Sequence, residues 1–214
     1  MNSASQPAVA GNRFERRRER TRQDLLTAAT RVLAEKGLHR TKIADIAAAA
    51  DVGVGTFYLH FPDKETLFDA VVEDTVHRLK TTVDAARSKA RTPVDKVRAS
   101  NVAFLRFARD NREVFKIVFG HAAAYDDLIR RAQALFIADI EETIREGIAT
   151  GGFAPLAPDI VAQAVVGMAT QVIAWWTEHE SVSIETLIDT TTTLALRGMT
   201  PDAPKGASHG RARA

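Results

Sequence analysis

Apolar residues recur at three- and four-residue intervals along most of this chain, and no stretch of useful length alternates apolar with polar side chains. That spacing gathers the apolar groups on one side of a helix, so the expected class is all-α with about nine helices. Leu25, Ala28, Ala29, Val32 and Leu33 mark the first face, and Gly37-Leu38 has the residue types of a left-handed glycine cap with its apolar contact. Ile43, Ile46, Ala47 and Ala50 form a short second face that ends at the turn Asp51-Val52-Gly53, and 54–59 forms a short third helix. Phe61-Pro62-Asp63 then breaks the chain, and Asp63 is suited to cap a long fourth helix through Leu67, Phe68, Val71, Val72, Val76, Leu79 and Val83. Thr92-Pro93 opens a fifth helix, 114–121 makes a short sixth, and a long seventh runs to Gly151-Gly152. An eighth spans 159 to about 178 and a ninth 183 to about 197.

Composition narrows the class of protein further. The 214 residues are 45% hydrophobic, enough for a buried core, and contain no cysteine. Disulfide frameworks, thiolate zinc sites, iron-sulfur clusters and a cysteine nucleophile are thereby excluded, and a reducing, cytoplasmic setting is the expectation. The basic residues near the start lack the apolar run of a signal peptide. The uncharged stretch 160–177 approaches spanning length, but Gln163, Gly167, Thr170 and Gln171 interrupt it, so no membrane insertion is expected. Residues 1–15 and 200–214 are rich in Ala, Ser, Pro and Gly and are expected to be disordered.

Charge is divided unevenly. Residues 1–64 carry 11 basic and 7 acidic side chains, whereas 65–214 carry 18 and 20. A basic segment on a near-neutral body is the pattern of a polyanion-binding module attached to a separate domain. Three short helices joined by tight turns, with glycine before the third, match a helix-turn-helix unit whose last helix enters the DNA major groove. Gly53 and Gly55 leave room for close backbone approach, Thr56 offers a hydroxyl and a methyl to base edges, and Tyr58 and His60 offer polar tips to phosphates. Lys64 joins a cation to the free N–H groups of a helix start.

The run from Thr41 to Leu67, TKIADIAAAADVGVGTFYLHFPDKETL, resembles the DNA-binding domain of the TetR (AcrR-type) transcriptional regulators. The resemblance implies a helix-turn-helix domain over 16–65 and an effector-binding and dimerisation domain over 66–199. It also implies a homodimer on a pseudo-palindromic operator, released when a small molecule binds, most often as a repressor. Carried over by position, the DNA contacts fall on Thr41, Lys42, Val54, Gly55, Thr56, Tyr58, His60 and Lys64. Gly53 and Val54 stand where many family members have a capping Ser and a basic residue, so DNA shape should carry more of the specificity. Arg16, Arg17, Arg18 and Arg20 are expected to act as a flexible arm reaching into a minor groove.

Most aromatic residues lie in the second half. Phe104, Phe107, Phe115, Phe119, Phe136, Met168 and Trp175 could line an apolar cavity, with Asn101, His121 and Gln171 as polar groups, for an apolar or aromatic effector. The eighth helix is apolar on more than one side, which suggests that helices eight and nine pack against their copies in a second subunit. The competing reading is a helical metal-dependent or small-molecule-processing enzyme. It finds no support, because the sequence has no His-Glu-x-x-His motif, no paired Glu-x-x-His and no phosphate loop. No catalytic, metal or cofactor residue is therefore expected.

Overall fold

The computed structural model describes residues 8–37, 39–120, 122–179 and 181–201. Among them the chain forms α1 (Ala8–Lys36), α2 (Ile43–Ala49), α3 (Val54–Tyr58), α4 (Lys64–Arg87) and α5 (Pro93–Asp110), followed by α6 (Arg112–Gly120), α7 (Ala122–Ala149), α8 (Pro158–Thr177) and α9 (Ile184–Met199). The all-α expectation holds, and the helix ends fall where local chemistry puts them. The Asp63 carboxylate accepts the Thr66 N–H at 2.7 Å at the start of α4, the Thr92 hydroxyl accepts the Asp95 N–H at 3.1 Å ahead of α5, and Ser183 accepts the Thr186 N–H at 3.2 Å ahead of α9. Gly37 and Gly151, both at φ +72°, close α1 and follow α7 in the left-handed region that glycine enters without strain.

Two departures concern the ends. α1 begins at Ala8, so the first helix takes in part of the segment expected to be disordered, together with the arginines expected to form a flexible arm. The remainder of both expected tails, 1–7 and 202–214, lies outside the described residues, as does His121.

The chain divides into two compact units, with the boundaries inside α4, α5 and α7. The first unit is built on α1 to α3, the first part of α4, and α6. Its core is Leu25, Leu26, Ala29, Val32, Leu33, Ile46, Phe57, Phe61, Leu67, Val71, Val114 and Ile117. The second unit packs Val97, Ile140, Ile144, Phe153, Ala162, Val166 and Met199. Here Lys80 bridges Asp84 at 2.6 Å and Asp139 at 3.0 Å, and Arg87 holds the other Asp139 oxygen at 3.2 Å. Trp176 Nε1 donates to the Val182 carbonyl at 2.7 Å, tying the end of α8 to the turn that follows it. α8 is long and apolar enough to cross a membrane, yet its Ala162, Val166, Ile173 and Trp176 are buried within the protein.

The turn after α7 is fixed by one glycine. The Gly152 and Phe153 N–H groups both donate to the Gly147 carbonyl, at 2.8 and 3.1 Å, and this brings the Phe153 ring down onto Gly147. A Cβ on Gly147 would lie 2.0 Å from that ring, whereas one on Gly198 would meet nothing within 4 Å. Gly147→Ala should therefore destabilise the protein by about 1–3 kcal/mol, as overpacking does, whereas Gly198→Ala should be neutral or stabilising. Chemical denaturation of the two variants checks this.

Candidate nucleic-acid interface

The reading head is assembled around α2. Asp45 sits in its first turn and accepts the Lys42 N–H at 3.2 Å, one half of a capping box. Lysine has no acceptor to supply the other half. Instead, the second Asp45 oxygen meets Lys36 Nζ at 2.9 Å, which ties the start of α2 to the end of α1. The bond from Lys36, then that from the Lys42 N–H, holds this carboxyl below the usual aspartate range. The turn between α2 and α3 takes its left-handed residue at Asp51, φ +55°, and not at Gly53, which is the extended N-cap of α3 at φ −72°. Aspartate is among the few non-glycine residues that tolerate that region.

α3 has five residues and opposite faces of opposite use. Phe57 is fully buried, 5.9 Å from the ring of Phe61, which is itself buried. Outward-facing are Val54, Gly55, Tyr58 and Leu59, with Tyr58 54% and Leu59 74% exposed. A Cβ at Gly53 or Gly55 would meet nothing in the protein, so the fold does not require either glycine and the space beside them is open to a ligand. Thr56 is half-buried at the edge of this face. Leu59 was not expected as a site residue: the sequence pattern marks it as the end of an apolar helix, and only the packing of Phe57 and Phe61 turns it outward.

Two neighbours of α3 modify the expectations. Thr41 is buried and its hydroxyl donates to the Gly37 carbonyl at 2.8 Å, so its side chain belongs to the loop between α1 and α2 and not to the outer surface. Lys64 Nζ reaches the Thr41 carbonyl at 3.4 Å and stands 5.5 Å from the centre of the Phe68 ring, bracing the start of α4 against the same loop. Lys42 is exposed.

His60 is half-buried, and burial first, then Arg18 and Arg22, pushes its imidazole below the usual histidine range, with Glu19 opposing them. Burial and the two guanidinium groups thus disfavour the protonated ring in the free protein. A phosphate beside it would favour the protonated form, so DNA binding through His60 would take up a proton and strengthen as pH falls. Arg22 stands 5.5 Å from the centre of the Phe61 ring. Arg16, Arg17, Arg18 and Arg20 are exposed along α1, which replaces the expected flexible arm with a helix.

The second unit revises the expected effector residues. Asn101 is not an unpaired amide: its Nδ2 donates to Thr191 Oγ1 at 2.8 Å and Thr192 Oγ1 at 2.9 Å, a bond between α5 and α9 that links positions some ninety residues apart. Gln171 and Trp175 are exposed on α8, and Trp175 stacks on His179 with ring centres 4.2 Å apart. Phe104, Phe107, Phe136 and Met168 are half-buried in this unit. Phe115 and Phe119 pair at 6.1 Å in the first unit. Ser100, which sequence reasoning missed, buries its hydroxyl without a hydrogen-bond partner. It lies one turn before Phe104 and two before Phe107 on the same side of α5. A separate cleft of about 550 Å³ beside Arg87, Arg91, Lys96, Glu142 and Glu146 is charged, and none of the expected effector residues lines it.

Family models decide what this arrangement belongs to. Residues 25–71 match the bacterial regulatory proteins of the tetR family, and 90–199 match the tetracyclin repressor-like C-terminal domain. The chain belongs to the TetR family. It is 26% identical over 168 residues to the uncharacterised HTH-type transcriptional regulator YhgD of Bacillus subtilis, covering 76% of this chain and 88% of that one. The nucleoid occlusion factor SlmA of Actinobacillus pleuropneumoniae is 30% identical over 125 residues, 58% of this chain, so the chain spans 62% of that relative. A TetR/AcrR-family regulator from Thermobifida fusca shares the fold at TM-score 0.70 and 21% identity, over 83% of this chain and 97% of that one. RolR in complex with resorcinol matches at TM-score 0.60 and 26% identity, over 88% and 92%. As a TetR-family member the chain is a DNA-binding, ligand-responsive transcriptional regulator, and its fold is that of such regulators.

The open space at Gly55 gives a test that separates fold from contact. Gly55→Ala should leave stability unchanged or raise it by up to about 1 kcal/mol, since glycine is the poorer helix former. DNA affinity should fall about tenfold or more if the backbone approaches DNA there, which corresponds to about 1.4 kcal/mol. Thermal melts beside fluorescence-anisotropy titrations read both quantities.

Proposed function

We propose that the protein is a cytoplasmic repressor that reads a pseudo-palindromic operator as a homodimer and releases it when a small aromatic or apolar effector binds. The observation that carries the DNA assignment is the two-sided α3: Phe57 and Phe61 hold it from within while Val54, Gly55, Tyr58 and Leu59 face out. In this reading Thr56 and Val54 meet base edges, and Tyr58, His60, Lys42 and Lys64 meet phosphates. The two copies of α3 would sit about 34–36 Å apart to enter successive major grooves.

Dimerisation falls on α8 and α9. Ile160, Ala164 and Gly167 repeat at helical spacing on the exposed side of α8, Trp175 continues it beyond Gln171, and Leu194 is exposed on α9, with Ile160 66% and Leu194 60% uncovered. Large apolar side chains uncovered on both helices mark a contact surface, and small residues such as Ala164 and Gly167 let two helices approach closely. For the effector, Ser100, Phe104 and Phe107 on α5, with Phe136 and Met168, offer apolar surface and one unsatisfied hydroxyl. The likeness to RolR, which was solved with an aromatic diol, supports the same chemistry. Effector and DNA would then oppose one another through a coupling free energy of about 1–3 kcal/mol.

Two experiments test this reading. Selection from a randomised duplex library should return a palindrome; on it Tyr58→Phe should weaken binding to all sequences alike, whereas Thr56→Ala should mainly relax sequence preference. Loss of the same size on selected and random DNA for both variants would refute the division of roles. Ala164→Glu places a charge on the exposed side of α8 without touching the core, and light scattering should then show the mass halved; an unchanged mass would move the interface elsewhere.

A further inference from the structure

The second unit holds a cleft that neither the DNA-reading surface nor the effector residues use. It lies between the end of α4 with the turn after it, the start of α5 and the later part of α7, and its volume of about 550 Å³ is that of a small-molecule site. Arg87, Arg91 and Lys96 line it together with Asp84, Glu142 and Glu146, and no aromatic side chain does. Cations and carboxylates balance there, so the cleft as a whole offers neither a polyanion nor a polycation a net attraction.

Two rows of charge face each other across it. On α7, Asp139, Glu142, Thr143 and Glu146 follow one another at intervals of three, one and three residues and share one side of the helix. The row contributed by α4 and α5 is mainly basic, and most of it is already answered. Lys80 and Arg87 both hold Asp139, at 3.0 and 3.2 Å, and Lys96 holds Glu146 at 2.6 Å. The buried Thr143 hydroxyl donates to the Asp139 carbonyl at 2.9 Å, and Arg87 donates to the same carbonyl at 3.0 Å, so this wall is fixed.

One pair stays open. Arg91 and Glu142 are exposed, line the same cleft, and have no hydrogen bond or ion pair among the described residues. Arg91 follows an ordered turn, because the Ser88 and Ala90 N–H groups donate back to the Asp84 and Arg87 carbonyls at 2.9 and 3.1 Å. Two opposite charges that line one cleft and do not meet across it are arranged for a molecule that carries both.

We propose that this cleft binds a small zwitterion, a free amino acid or a short peptide, whose carboxylate meets Arg91 and whose ammonium meets Glu142. A planar guanidinium takes a carboxylate through two parallel bonds, and a carboxylate accepts more than one ammonium N–H. Arg87 and Lys96 are neutralised by Asp139 and Glu146, which leaves Arg91 as the cation with an unanswered charge. The site shares no residue with Ser100, Phe104, Phe107, Phe136 and Met168. It is therefore a second ligand input, opposite in chemistry to the apolar effector, and stands or falls apart from that reading.

The test titrates the full-length protein, without DNA, by ligand-observed NMR with each proteinogenic L-amino acid, glycylglycine and triglycine, at up to about 10 mM. Each probe that binds is compared with its N-acetyl derivative, which lacks the ammonium, and with its amide, which lacks the carboxylate. At least one probe should bind with a dissociation constant between about 10 µM and 1 mM, and about tenfold or more weakly once either charge is removed. Arg91→Gln and Glu142→Gln, with the fold verified by circular dichroism, should each weaken the zwitterion about tenfold. Arg91→Gln should nevertheless bind the amide as well as wild type does, and Glu142→Gln the N-acetyl form, since each variant lacks only the contact that its derivative cannot make. In wild type, shifts of the Ser88, Ala90 and Arg91 amide signals should locate the ligand without any substitution.

No binding by any probe overturns the proposal. Binding that both variants leave unchanged, or amide shifts confined to α5 around Ser100 and Phe104, overturns it as well, because the ligand would then sit elsewhere. Equal binding of the free and N-acetyl forms to wild type, with loss only in Arg91→Gln, would make the cleft an anion site and overturn the zwitterion assignment. Equal binding of the amide, with loss only in Glu142→Gln, would make it a cation site and do the same.

Discussion

A five-residue helix has no stability of its own, because the first turn fixes several residues for a single hydrogen bond. α3 exists because Phe57 and Phe61 are driven into the core that Leu25, Leu26, Val32, Leu33, Ile46 and Leu67 provide. Full burial of two phenylalanines is worth roughly 3–6 kcal/mol, more than the helix could draw from propensity. The exposed side of α3 depends on that anchorage. With the two rings inside, the remaining positions of α3 have no choice but to face out, and Tyr58 and Leu59 are held at the surface by their neighbours' burial.

The same unit shows how polar groups make a small assembly specific. Asp45 joins α1 to α2, Thr41 closes the loop between them, and Lys64 braces α4 against that loop. The two lysine contacts are partly exposed and individually modest in energy, whereas Thr41 is buried. Their effect is geometric: they set the angle at which a short helix is presented. Lys64 is held by the Thr41 carbonyl and the Phe68 ring, so its position at the start of α4 is fixed by its neighbours.

The second unit solves a different problem. α8 buries Ala162, Val166, Ile173 and Trp176 on one side and leaves Ile160 and Trp175 uncovered on another. The polar bonds here, from Asn101 to Thr191 and Thr192 and from Arg87 to Asp139, lie inside the unit and satisfy groups that would otherwise be costly to bury. Ser100 stands out because it lacks such a partner.

Helix number, class and most boundaries were legible in the chain because they follow from local chemistry: a period near 3.6, a capping Asp63, Thr92 or Ser183, and glycines at Gly37 and Gly151 that accept a left-handed turn. The motif around α3 was legible for the same reason, since its short helices and tight turns are adjacent in sequence. What folding in three dimensions decided was the direction and company of individual side chains. Thr41 could be placed beside α2 from sequence, but its burial depends on the Gly37 carbonyl turning toward it. Asn101 was legible only as a polar group near an apolar stripe, and α9 supplies the threonines it bonds; of the adjacent Trp175 and Trp176, only packing decides that the second is the buried one. The arginines near the start read as a flexible arm, and the structure places them on α1. A local pattern states which face is apolar, but what covers that face comes from residues far along the chain, and that is settled only when the helices pack.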